Sequence, residues 1–268
     1  MRTLHAVPIA AVCVLFAAGC GGDASPTEPA SPAVTLTHSL PGHNALRTAL
    51  QDIVAEQNGG LGFDMWATIL DRNGKVVDVV FSGEARGDQW PGSRVISAQK
   101  ANTANAFSLD QLALSTANLF AAVQPGGSLF GLQESNPVDT DVAYAGPVSA
   151  YGKADDPMIG KRIGGINVFG GGLALYSASG TLLGGLGVSG DTSCTDHIIA
   201  WKLRHQLNLD NIPGGVDLPE HTDNITFTEG ELDGFEHPEC FDSDVNVVGN
   251  HVDIANALPT THPVGPDE

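Results

Sequence analysis

The chain has 268 residues and sets 31 acidic against 12 basic side chains, for a formal net charge of −19. That balance excludes a nucleic-acid binder, which needs Lys and Arg to neutralise phosphate, and it suits a soluble protein outside the cell. The length fits one domain with embellishments once a leader segment is set aside.

Met1-Arg2-Thr3 opens the chain, and an apolar run follows from Leu4 to Ala18, broken by His5 and Pro8. A basic start, a short apolar core and small residues at the end predict a secretory signal peptide over residues 1–19. The run is short for a bilayer span. Cys20 directly follows Ala17-Ala18-Gly19, which resembles a bacterial lipobox and implies that Cys20 is lipidated and becomes the first mature residue. An ordinary signal peptide with a chance cysteine is the alternative. Residues 20–42, mostly Gly, Ser, Pro, Thr and Ala at first, read as a flexible tether. The expected location is the periplasm or cell surface, with the membrane touched only through the lipid anchor.

From His43 to Gln57, apolar residues at Ala45, Leu46, Ala49, Leu50, Ile53 and Val54 predict a one-sided helix ended by Asn58-Gly59-Gly60. Met65–Leu70 and Lys75–Phe81 flank Asp71-Arg72-Asn73-Gly74 and predict a hairpin. Ser93 to Ala122 reads as two helices broken near Ser108, with Ser108 capping the second. Residues 125–161, rich in Gly, Pro, Asp and Ser, read as a long inserted loop. Ile163 to Gly190 lacks charge but is too glycine-rich for a membrane helix, so a second hairpin is expected, built on Leu173–Tyr176 and Thr181–Leu183. Thr195 to Leu207 returns to helical spacing. Residues 208–268 hold no Lys or Arg and read as an acidic C-terminal extension. The order of elements predicts an α+β domain, a central antiparallel sheet with packed helices, over residues 43–207.

Four local patterns carry chemical suggestions. Cys13 falls in the leader, which leaves Cys194 and Cys240 as an even pair; in an oxidising compartment they read as a disulfide, with a thiol metal site as the rival. Gly185, Gly187 and Gly190 match G-x-G-x-x-G, but no buried parallel strand follows the next helix, so close packing at a strand end is the expected reason for the glycines. Ser193, Asp196 and His197 are the residue types of a hydrolase triad, yet they crowd one helix start, where Ser193 or Thr195 serves better as a cap. Asp242, Asp244 and Asn246 alternate like a calcium loop but lack its glycine.

Two stretches together resemble a known family. Lys100-Ala-Asn-Thr103-Ala-Asn-Ala-Phe107 is one. The other runs from Gly164-Gly-Ile-Asn-Val-Phe-Gly-Gly-Gly172 through Gly180–Gly190 to Asp196-His-Ile-Ile-Ala200. They are similar to the GlcG/HbpS family of haem-binding proteins, whose domain also occurs in PduO-like proteins. The likeness rests on a Lys-Ala-x-Thr-Ala helix, two glycine-rich strands and an acidic helix start, in that order. It implies a profilin-like α+β fold, homo-oligomers, and haem or a related tetrapyrrole as ligand. It implies a haem contact at Thr103; Lys100 could meet a propionate, and Phe107, Phe120 and Trp201 could line a slot. His197, standing where many members have Glu, is the next candidate. The chain departs from the family in its long 125–161 loop, in lacking the proline after Gly170-Gly171-Gly172, and in its C-terminal extension. The expected function is haem or tetrapyrrole binding in sensing, storage or handling. An enzyme of haem or small-molecule breakdown and a cofactor-free interaction module are the alternatives.

Overall fold

The computed structural model describes residues 40–217, 220–227, 234–241 and 250–265. The expected signal peptide, Cys20 and almost all of the tether lie outside the described residues, as do Asp242, Asp244 and Asn246.

Helix α1 (His43–Val54) buries Leu46, Ala49, Leu50 and Ile53, the stripe its periodicity predicts. Strands β1 (Trp66–Asp71) and β2 (Val76–Phe81) form the first hairpin. Its turn closes because Asp71 Oδ1 accepts from the N–H groups of Asn73 and Lys75, while Gly74 adopts φ 76°. Helix α2 spans Ser93–Phe107. The second hairpin pairs β3 (Gly172–Tyr176) with β4 (Leu182–Ser189), longer than its sequence signal, and helix α5 (Ser193–Gln206) follows. Between α2 and β3 come two short helices, α3 (Leu132–Ser135) and α4 (Thr140–Ala143). Helix α6 (His251–Thr261) lies in the C-terminal extension.

The sheet is antiparallel in order β2-β1-β4-β3. Alternation along the strands divides two layers. Ala67, Ile69, Leu186 and Val188 join the main core with α1 and α5, whereas Trp66 and Val79 face α2 with Val95 and Ala98. The α2 layer sits close because β4 presents glycine to it. A Cβ on Gly187 would lie 1.9 Å from the Ser97 carbonyl oxygen, and one on Gly185 2.2 Å from that of Ala101. The Gly-x-Gly pattern is therefore a helix-packing surface, as expected, and no dinucleotide turn.

Two expectations need correction. No helix runs through 108–122; a single 3-10 turn occupies Ala121–Val123. Ser108 exchanges hydrogen bonds with Leu114, and the segment beyond is taken up by the sheet edge: Thr116 N–H donates to Gly172 O and Gly172 N–H to Thr116 Oγ1. The cap of α5 is Thr192, whose hydroxyl accepts from Thr195 N–H, rather than Ser193 or Thr195. The 125–161 loop is docked against α2 and the strand face beneath it: Arg94 of α2 forks onto buried Asp156 and donates to Ala143 O at 2.7 Å, and Ala143 and Met158 pack with Trp66 and Val79. No helix among the described residues is long and apolar enough to cross a membrane.

Candidate functional site

A cleft of about 280 Å3 opens between the N-terminal ends of α2 and α5. Ser93, Ile96 and Lys100 line it from α2, Ser189, Asp191, Ser193 and Asp196 from the β4–α5 junction, and Asn167 and Phe169 from the lead-in to β3. Trp90 closes the α2 side.

Its floor is an ion pair. Lys100 Nζ lies 2.6 Å from Asp196 Oδ2, with both side chains almost fully buried, and donates to Val188 O at 3.2 Å. Asp196 Oδ1 accepts from the N–H groups of Gly190 and Asp191 at 3.1 and 3.0 Å. Burial pushes the Asp196 carboxyl up to about 6 despite the neighbouring ammonium. The glycine run makes this floor possible. A Cβ on Gly171, at φ 115°, would fall 3.0 Å from Lys100 Nζ and 2.5 Å from Val188 O.

The walls are aromatic and open to solvent. Trp90 is 51% exposed and Phe169 43%. Each is braced from behind: the Trp90 ring lies 5.2 Å from Phe63, and Phe169 lies 6.0 Å from Phe120.

Of the four binding residues proposed from sequence, Lys100 lines the cleft. Thr103 is buried below it; its hydroxyl donates to Gln99 O and accepts from Asn167 N–H. Phe107 packs on the cluster of Leu119, Val123, Ile166 and Val168. His197 is fully buried, with Nε2 accepting from Ile225 N–H at 3.1 Å and Nδ1 without a hydrogen-bond partner among the described residues. Trp201 is buried and donates to His262 O. Sequence reasoning missed Trp90 and Phe169 as walls, and Asp196 as the partner of Lys100. A signal for Asp196 was present, since a lysine among alanines on a packed helix face requires a buried carboxylate.

Ser193, Asp196 and His197 form no triad: their side chains go to Cys240 Sγ, Lys100 and Ile225 respectively. Cys194 and Cys240 are bonded, as expected, with Cα atoms 6.1 Å apart.

The family model for the haem degrading protein HbpS-like matches residues 43–203. Among solved structures, a PduOC–haem complex aligns at 22% identity over 65% of this chain and 99% of its own, with a TM-score of 0.45. Klebsiella pneumoniae protein ORFY aligns at 22% identity over 64% of this chain and 94% of its own, with a TM-score of 0.42. A double mutant of HbpS from Streptomyces reticuli aligns at 17% identity over 69% of this chain and 99% of its own, also at 0.42. No curated protein matches the sequence.

Proposed function

The chain belongs to the haem degrading protein HbpS-like family, and from that premise we propose that its α2–α5 cleft receives one edge of a haem or related tetrapyrrole. The observation that carries this reading is the pairing of two open aromatic walls with a buried lysine at the floor. A tetrapyrrole presents a flat apolar ring and carboxylate substituents. Trp90 and Phe169 offer surfaces to the ring, and Lys100 offers a cation to a propionate.

The fit is to the macrocycle. At about 280 Å3 the cleft falls just below the ~300–1,000 Å3 usual for ligand sites. It takes a ring edge, and the exposed aromatics cover more of the face. Among the described residues, no histidine, cysteine or methionine lines it, so those residues supply no strong ligand to iron. A bound haem would supply redox and oxygen chemistry; the residues of this chain hold the ring and its carboxylate.

The test is a titration of the full chain with hemin and, separately, with iron-free protoporphyrin. Both should bind with similar affinity and quench tryptophan fluorescence. Trp90→Ala, at an exposed position, should weaken both about tenfold, the loss of one stacking contact of about 1.4 kcal/mol. Absence of any Soret change with hemin would sink the reading. Binding of hemin but not of protoporphyrin would move the site to an iron ligand elsewhere.

A second reading rests on Asp196, whose carboxyl at about 6 beside Lys100 is equipped to exchange protons near neutrality. Loss of the Soret band with product formation under a reductant would assign breakdown of the ligand instead.

Export, lipid anchoring at Cys20 and homo-oligomer formation complete the proposal. The first two rest on the N-terminal sequence and the third on the family resemblance. Cys20→Ala should shift the protein from the membrane fraction to the soluble one; a variant still in the membrane fraction at mature size would refute the anchor.

A further inference from the structure

Behind the cleft wall a second group of side chains converges. Cys194 stands in the first turn of α5, and His237 and Cys240 come from the extension. One donor atom from each lies within 4.8 Å of the other two. We propose that reduction of the Cys194–Cys240 disulfide converts this cluster into a binding site for a thiophilic cation of the zinc type, held by both thiolates and the His237 imidazole.

The donor set has the right chemistry. Two thiolates and one neutral imidazole around a divalent cation sum to zero charge, the form a buried site tolerates best. His237 is 2% exposed, and a neutral imidazole is the form in which histidine binds a metal. The helix start already favours the thiolate. Cys194 N–H points at Cys240 Sγ at 3.1 Å, and Ser193 Oγ lies 3.4 Å from the same sulfur. Donors of this kind lower a thiol pKa. A tetrahedral zinc with bonds of about 2.0–2.3 Å places its donors roughly 3.5–3.8 Å apart. The cluster needs only a modest contraction at the imidazole and separation of the two sulfurs.

The chemistry balances with a reductant of the dithiol or phosphine class. It supplies two electrons and is itself oxidised, the S–S bond breaks, and two protons complete the thiols. Metal binding then releases those two protons. Ser193 lines the cleft and contacts the half-buried Cys240, so small reagents reach the sulfur from that side. The disulfide is then one of two states. Oxidised, it ties the extension to α5 covalently; reduced, a metal ion takes over the same tie.

Cobalt reads this directly. The full chain is reduced with a phosphine under anaerobic conditions and titrated with Co2+, in parallel with the oxidised chain. Expected are thiolate-to-cobalt charge-transfer bands in the near ultraviolet at one equivalent, displaced by Zn2+, and none in the oxidised chain. His237→Gln leaves the disulfide intact, and after reduction it should bind cobalt at least tenfold more weakly. Near-ultraviolet circular dichroism follows the fold throughout. If reduction loosens the fold, one equivalent of cobalt should restore the oxidised spectrum. The proposal is overturned by absence of the thiolate bands, by equal affinity in His237→Gln, or by a reduced chain that cobalt fails to restore.

Discussion

His197 sits on α5 fully buried. Because Nε2 accepts from Ile225 N–H, the neutral ring carries its proton on Nδ1. Burial pushes this imidazole down to about 3, with the Arg204 charge adding to the effect and the Asn224 amide offsetting a little of it. The unfolded chain therefore takes up the proton more readily than the folded one. The stability this group contributes is complete above about pH 6.5 and is lost as pH falls toward 3. His237, held at about 4 by the same cause, runs in the same direction. Asp196, raised to about 6, runs the opposite way and favours the fold as pH falls from 6 toward 3.8. Two histidines outweigh one carboxylate. The unfolding free energy of the oxidised protein should fall, on the order of 1 kcal/mol per pH unit, as pH drops from about 6 to 4.5. Denaturant unfolding across that range measures it. His197→Gln should flatten the slope by about one proton, and an unchanged slope would remove His197 from this account.

At the scale of elements, what was legible in the sequence was local. Helix α1, both hairpins and α5 announce themselves through period, turn residues and glycine stops, each set within a dozen or so residues. The stretch after α2 misleads because its helical spacing is overruled from a distance: Thr116 is claimed by Gly172 and Ala113 N–H by Gly214 O. The site divides the same way. Lys100 could be read from its helix, but Asp196 is 96 residues away and Trp90 lies in a loop without periodicity. The β4 glycines were legible as packing glycines, and the structure gives them a strict role. In Gly187→Ala the new methyl would lie 1.9 Å from Ser97 O and 2.6 Å from Ala101 N, both in the α2 backbone, so the helix must lift from the sheet. The cost should be about 3 kcal/mol or more. Gly87→Ala, with nothing within 4 Å of the added carbon, is the control. Chemical denaturation of the two variants side by side decides it, and equal midpoints would mean that α2 is not seated as described.

On the scale of the whole molecule, two of the departures from the family pattern, the 125–161 segment and the C-terminal extension, each lie against one edge of the sheet. Beside β2, Val76 N–H donates to Lys161 O and Gly160 N–H to Val76 O; beside β3, Tyr176 N–H donates to Leu209 O. A second copy of this chain cannot pair with these strand positions, which are already taken. The C-terminal extension reads as an acidic tail by composition, yet its described part is built into the core. Ile225, Ala255 and Leu258 join the main apolar cluster, and Asn224 donates to Ala255 O. Asp223 receives a two-pronged bond from Arg204, both side chains fully buried, at 2.7 Å for each contact. A chain ending at Leu207 would lose all of this at once. Arg204 would be left without its counter-ion, a loss of about 3–5 kcal/mol, and the disulfide would go with Cys240, worth about 4 kcal/mol for a loop of 46 residues. Those two losses alone match the ~5–15 kcal/mol that holds a typical domain together, before any exposed apolar surface is counted. The truncated chain should therefore be insoluble or lack the near-ultraviolet circular dichroism of packed tryptophans, although it spans the whole region matched by the family model. A soluble, cooperatively melting fragment over residues 43–207 would show instead that the extension only decorates a finished domain.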